Sequence, residues 1–159
     1  MQREASGRRM GYLEYSQLVE IAIEAREKAY VPYSGFYVGA ALLTQDGRVF
    51  TGCNIENAGF SATNCAERTA IFKAVSEGQT KFTAIAVAGG PKGPVTQFCT
   101  PCGICRQVMA EFCSRDFEIV LGISPDNYRI YTLDKLLPLG NFPQGNPGNE
   151  FFVIDPEGQ

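Results

Sequence analysis

The 159-residue chain contains no histidine. It therefore cannot assemble a Ser-His-Asp or Cys-His catalytic unit, nor a zinc site built on two or three imidazoles. Any acid–base or metal chemistry falls to carboxylates, thiolates and lysines. Long hydrophobic runs are missing as well. The longest apolar stretch, residues 36–43, is strand-sized and far below the roughly 20 residues of a membrane span. The polar start MQREASGRRM holds three arginines but leads into no apolar segment, so no signal peptide is expected. Cations are scarce too: 14 Lys and Arg against 17 Asp and Glu leave a net charge of −3. That argues against a broad phosphate-binding surface, because nonspecific nucleic-acid affinity needs many cations. Neither a nucleic acid nor a membrane is an expected partner.

What the chain does have is six cysteines. With no export signal in view they read as thiols or metal ligands rather than a disulfide framework, and a cytoplasmic location follows.

The pattern predicts one domain over residues 13–142, with a flexible N-terminus, 1–12, and a C-terminal tail, 143–159. That tail continues a linker-like run (GNFPQGNPGN, 140–149) and holds an apolar stretch at 151–154. Across 14–30 the apolar residues Tyr15, Leu18, Val19, Ala22, Ala25 and Ala29 fall at spacings of three and four, one helical stripe. Pro32 is expected to stop that helix. A strand over 36–44, an Asp46-Gly47 turn and a strand over 48–55 read as a hairpin. A polar loop, 56–64, then precedes a helix over 65–76, with Gly78 near its end as a C-cap. An apolar strand over 82–88 is closed by Gly89-Gly90-Pro91. A helix over 102–113, strands over 117–123 and 128–132, and a helical turn over 133–137 complete the order. Strands joined by crossover helices imply parallel pairing, and runs such as Ile85-Ala86-Val87-Ala88 suit a sheet covered on both faces. The expected fold is α/β, a three-layer α-β-α sandwich on a mixed five-stranded sheet with an antiparallel hairpin at one side.

Cys102 and Cys105 form a C-x₂-C pair after Pro101, at a predicted helix start, where both sulfurs can reach one tetrahedral zinc. Helix N-termini favour thiolates through their free N–H groups and dipole. Cys65, at the start of the preceding helix, is a candidate third ligand by the same reasoning. Three ligands would leave a position open, as in catalytic zinc sites. A redox or disulfide role for the C-x₂-C pair is the alternative. Cys65-Ala66-Glu67 followed by Pro101–Cys105 matches the signature of zinc-dependent nucleobase deaminases, with cysteine in place of the usual first histidine. Cys53, Cys99 and Cys113 read as buried thiols.

Four segments, FYVGAAL (36–42), NIENA (54–58), CAERTA (65–70) and PCGICRQ (101–107), closely resemble the small three-cysteine cytidine deaminases, and the resemblance spans roughly residues 14–140. It implies one Zn²⁺ per subunit on Cys65, Cys102 and Cys105. It implies a zinc-activated water attacking C4 of cytosine, with Glu67 as catalytic proton shuttle. Arg68 would drain thiolate charge from the metal. Substrate contacts would come from Phe36, which packs on the pyrimidine, from Asn54 and Glu56 at the sugar, and from Ala66, Phe60 and Phe142. The expected assembly is a homotetramer with active sites shared between subunits, Phe142 reaching across. The spacing from Leu136 to Phe142 is one residue longer than the family's usual pattern. The activity implied is hydrolytic deamination of cytidine and deoxycytidine in pyrimidine salvage. The alternatives are a blasticidin-type aminonucleoside deaminase and a structural zinc module closed by a fourth thiolate from Cys53 or Cys99.

Overall fold

The computed structural model describes residues 13–143 and the backbone of Arg9–Met10. The segments 1–12 and 143–159 otherwise lie outside the described residues, apart from Pro143. Strand β1 (Arg9–Met10) pairs antiparallel with β2 (Leu13–Glu14). Among the described residues no helix is long and apolar enough to cross a membrane.

Helix α1 (Tyr15–Ala25) begins in a capping box: Glu14 and Gln17 satisfy each other's orphan N–H groups, with Glu14 N–H donating to Gln17 Oε1 at 2.9 Å. Its stripe of Tyr15, Leu18, Val19 and Ala22 is buried as predicted. The helix stops at Ala25, well short of Pro32, and tightens into a 3₁₀ turn, Arg26–Lys28. There Arg26 turns inward. Its buried guanidinium donates to the carbonyl oxygens of Tyr37 (3.3 Å), Gly90 (3.0 Å), Pro91 (2.7 Å) and Gly93 (2.7 Å).

The remaining elements follow in the predicted order: β3 (Phe36–Thr44), β4 (Val49–Cys53), a 3₁₀ turn (Phe60–Ala62), α2 (Ala66–Ser76), β5 (Phe82–Pro91), α3 (Gly103–Phe112), β6 (Glu118–Ser124), β7 (Asn127–Thr132) and α4 (Leu133–Leu136). The five-stranded sheet has the order β4-β3-β5-β6-β7, with β5 and β6 parallel and every other neighbour antiparallel. β5 runs through Gly89-Gly90-Pro91, which were expected to close it. Phe36, Tyr37 and Val38 of β3 offer pairing partners to all three.

Alternation along the strands sorts the core into two layers. Ala41, Ala84, Ala86 and Ala88 face α1, and these short side chains let the helix lie close to the sheet. Gly39 makes that approach possible, since a Cβ there would stand 2.0 Å from the Ala22 carbonyl oxygen. Larger residues on the opposite face, Leu42, Ile85, Val87, Ile119 and Leu121, meet α2 and α3. Each of the fully buried Leu42, Ile85 and Ile119 contributes ~1.5–3 kcal/mol.

Strand direction then decides where the chemistry falls. β4 and β5 both run antiparallel to β3, so they run parallel to each other and end on the same side of the sheet. The helices that follow them, α2 and α3, therefore start on that side, and β3 begins there too. Cys65, Glu67, Cys102, Cys105 and Phe36 converge from three separate stretches of sequence.

Candidate active site

Cys65 is the N-cap of α2 and Cys102 the N-cap of α3, with Cys105 one turn into α3. Their sulfurs all lie within 4.8 Å of one another, the one such group of potential metal ligands among the described residues. Cys65 Sγ and Cys102 Sγ are 3.7 Å apart, far beyond the roughly 2.05 Å of a disulfide. A tetrahedral zinc with Zn–S bonds of about 2.3 Å needs sulfurs about 3.8 Å apart. The donor set fits zinc in both chemistry and spacing. Cys53 and Cys99 are half-buried and Cys113 is buried, and none of the three joins the group. A fourth sulfur to close the site is not in place.

The first turn of α2 reaches this position because residue 52 has no side chain. A Cβ on Gly52 would lie 2.3 Å from the Ala66 carbonyl oxygen and 2.5 Å from the Ala70 nitrogen. Glycine lets the helix press onto β4, and Glu67 is driven inward until it is 3% exposed. Burial pushes its carboxyl up to about 7, the neighbouring Cys105 hydrogen bond opposes this, and the Cys65 charge adds to it. Cys65 is held down at about 5 by the Cys105 thiol that donates to it and by Arg68, against the effect of burial. Cys105, the donor to Cys65 and itself enclosed, is raised.

Arg68 Nη2 donates to Cys65 Sγ at 3.2 Å. Burial alone would lower its pKa, and the bonds to Cys65 and Cys105 more than offset that. The guanidinium thus stays charged beside the Cys65 and Cys105 sulfurs.

Phe36 is 40% exposed at the start of β3. It sits beside Cys99: a Cβ on Gly89 would meet Cys99 Sγ at 2.9 Å and Phe36 Cε1 at 3.1 Å. Asn54 has part of its amide engaged by the sheet, with Oδ1 accepting from Val38 N–H at 2.9 Å and Nδ2 donating to Phe36 O at 2.8 Å. Glu56 Oε1 accepts from the N–H groups of Tyr33 and Ser34, each at 3.0 Å, and the Ser34 hydroxyl holds its carboxyl below the usual range. Ala66 is fully buried as the first residue of α2, so only its backbone N–H, free of any helical partner, can serve a ligand. Phe60 projects from its 3₁₀ turn with 82% of its surface exposed.

Phe142 is placed differently from expectation. The chain turns back through Leu139, at a left-handed φ of 56°, and Phe142 packs into this chain's own core with 7% exposure under the Arg115 guanidinium, 4.3 Å from the ring centre.

Two supporting residues carried no assignment from the sequence. The Thr69 hydroxyl donates to the carbonyl oxygens of Cys53 (3.0 Å) and Cys65 (3.2 Å). Arg106 Nε donates to Pro101 O at 2.8 Å. Each stands four residues after a cysteine that begins a helix, one turn along the same face, and that spacing was the available signal.

Comparison with known proteins gives a consistent result. A family profile described as the cytidine and deoxycytidylate deaminase zinc-binding region matches residues 13–121. A cytidine deaminase from Halalkalibacterium halodurans is 53% identical over 126 residues, covering 79% of this chain and 92% of that protein. The solved structure of a Burkholderia pseudomallei cytidine deaminase superposes with a TM-score of 0.72 at 48% identity, covering 83% of this chain and all of the other. A blasticidin-S deaminase from Bacillus cereus is further away, 30% identical over 129 residues, covering 77% of this chain and 89% of that protein.

Proposed function

The chain belongs to the cytidine and deoxycytidylate deaminase family, and we propose on that premise that it removes the amino group of cytidine and deoxycytidine by hydrolysis, giving uridine or deoxyuridine and ammonia. The observation that carries the assignment is a buried carboxyl group, Glu67, set against a three-sulfur zinc cradle.

Zinc held by Cys65, Cys102 and Cys105 supplies Lewis acidity, which lowers the pKa of a water from about 15.7 to about 7. The remaining work belongs to the protein. Water adds its oxygen to C4 of the pyrimidine while Glu67 takes the water's proton and delivers it to N3. Glu67 then takes the remaining hydroxyl proton from C4 and passes it to the C4 amino group; the C–N bond breaks, ammonia leaves and the C4 carbonyl forms. Burial raises the Glu67 carboxyl toward neutrality, which suits a group that must take and return a proton. Arg68 draws charge from the Cys65 sulfur and so limits how far three thiolates quench the metal.

Phe36 offers a ring face for the pyrimidine, and Asn54 and Glu56 serve the sugar. Asn54 keeps a second amide N–H beyond its bond to Phe36, and Glu56 keeps acceptor capacity beyond its two backbone contacts. A carboxylate at the sugar repels a 3′-phosphate, which favours a free nucleoside over a polynucleotide. The enzyme works in pyrimidine salvage as a homotetramer. Supporting assembly, Tyr30, Tyr33, Ile55 and Phe60 leave an apolar rim exposed beside the site. Thiols grouped as metal ligands at Cys65, Cys102 and Cys105 suit a reducing, cytoplasmic setting.

Ammonia release from cytidine, deoxycytidine and blasticidin S tests the assignment, with turnover expected on the first two. Glu67→Gln should keep zinc yet lose ~10²–10⁴-fold in kcat. Wild-type turnover by that variant would sink the mechanism, and preferential use of blasticidin S would move the assignment to the aminonucleoside enzymes.

A further inference from the structure

The three sulfurs are not held equally. Cys105 is buried in the core and Cys65 receives Arg68, whereas Cys102 is exposed. At the N-cap of α3 its backbone is extended, with φ −68° and ψ 166°, and its sulfur accepts a long bond, 3.5 Å, from Cys105 N–H and lies 3.7 Å from Cys65 Sγ. Of the two carbonyls flanking its Cα, the following one is held by the ordinary helical bond and the preceding one by a side chain. Arg106 Nε donates to Pro101 O at 2.8 Å, and Arg106 N–H donates to Cys102 O at 3.0 Å. The other arm of the same guanidinium, Nη1, donates to Leu136 O at 2.6 Å, at the end of α4. The next residue, Gln107, ties Asn141 O through Nε2 at 2.8 Å.

We propose that Arg106 is a positioning residue for the metal ligand Cys102, its guanidinium holding the peptide plane that precedes Cys102 through Pro101 O and anchoring that plane to the end of α4 through Leu136 O. The inference rests on the zinc reading above. With the peptide planes on both sides of Cys102 restrained, the sulfur position follows from one remaining rotation, χ1. Arg106 differs from Arg68 in touching no sulfur: it acts on geometry, whereas Arg68 acts on charge. The planar guanidinium addresses two carbonyls from separate nitrogens along fixed directions. A lysine ammonium at the end of a flexible stem can reach either Pro101 O or Leu136 O but lacks that fork.

The test uses the zinc-loaded protein and its cobalt-substituted form. Arg106→Ala is expected to release zinc to a chelator about 10–100-fold faster, the usual effect of losing a partner that orients a ligand. The thiolate-to-cobalt absorption should shift, and kcat should fall with KM within twofold. Arg106→Lys is expected to fall between the two, and it carries the test if the alanine variant does not fold. Release rates and cobalt spectra unchanged in a folded variant would overturn the proposal, as would a rise in KM at constant kcat. A wild-type protein that retains no zinc would instead overturn the zinc reading, and this inference with it.

Discussion

Cys65, Glu67, Cys102 and Cys105 stand at the N-termini of two helices packed on the core, whereas Phe36, Asn54, Glu56 and Phe60 stand on strand ends and loops at its rim. The first group is knit by contacts within the chain: a sulfur cluster, the Arg68 bond, the Thr69 and Arg106 bonds to flanking carbonyls, and the Gly52 contact that seats α2. The second group is partly committed to the sheet through Asn54 and to a backbone turn through Glu56, and it ends in exposed aromatic surface. A metal centre needs its ligands fixed to within fractions of an ångström before substrate arrives, so it is drawn from rigid elements. The proposed substrate rim draws on loops, where local stability is lower.

The contrast is broken most severely at the metal. Cys105→Ala removes the buried sulfur, and zinc content measured by atomic emission should fall below one tenth per subunit with turnover below detection. Retained metal and turnover would mean that two sulfurs suffice. Gly52→Ala probes the seat of the same centre from behind. Its Cβ meets backbone atoms that have no flexible end to yield, so urea unfolding should show a loss of ~1–3 kcal/mol. Zinc should then be held less firmly, though no ligand has changed. The rim should respond in another quantity. Glu56→Gln removes a charged acceptor without removing bulk, and KM for cytidine should rise about tenfold with kcat within about threefold and zinc content unchanged. A drop in zinc content would show that the two regions are coupled after all.

Much of this division was legible before the fold was known. The period of α1, the hairpin, the apolar run of β5 and the two cysteine-headed helices are local patterns, and each appears within a few residues of its expected bounds. Cys65, Glu67 and the C-x₂-C pair could be read because their chemistry is carried by short spacings. The early end of α1 could not, because Arg26 turns inward toward carbonyls 11 to 67 residues away. Nor could the fate of Phe142: it occupies the core because Leu139 turns the chain back and Arg115 covers its ring. Arg106 stood inside a recognised motif, and its partner Leu136 is 30 residues distant.

The amino-acid sequence by itself determined the elements, the ligand types and the exclusion of imidazole chemistry, since these depend on residue identity and on spacings within one turn or one strand. Tertiary structure alone decided that β4 and β5 run parallel on either side of β3, that α2 and α3 therefore begin at the same place, and that three sulfurs and one carboxyl group meet there. The physical reason is that side-chain period records which face of an element is buried but carries no information about strand order or direction. Those depend on contacts among distant residues, such as the close approach of α2 to Gly52.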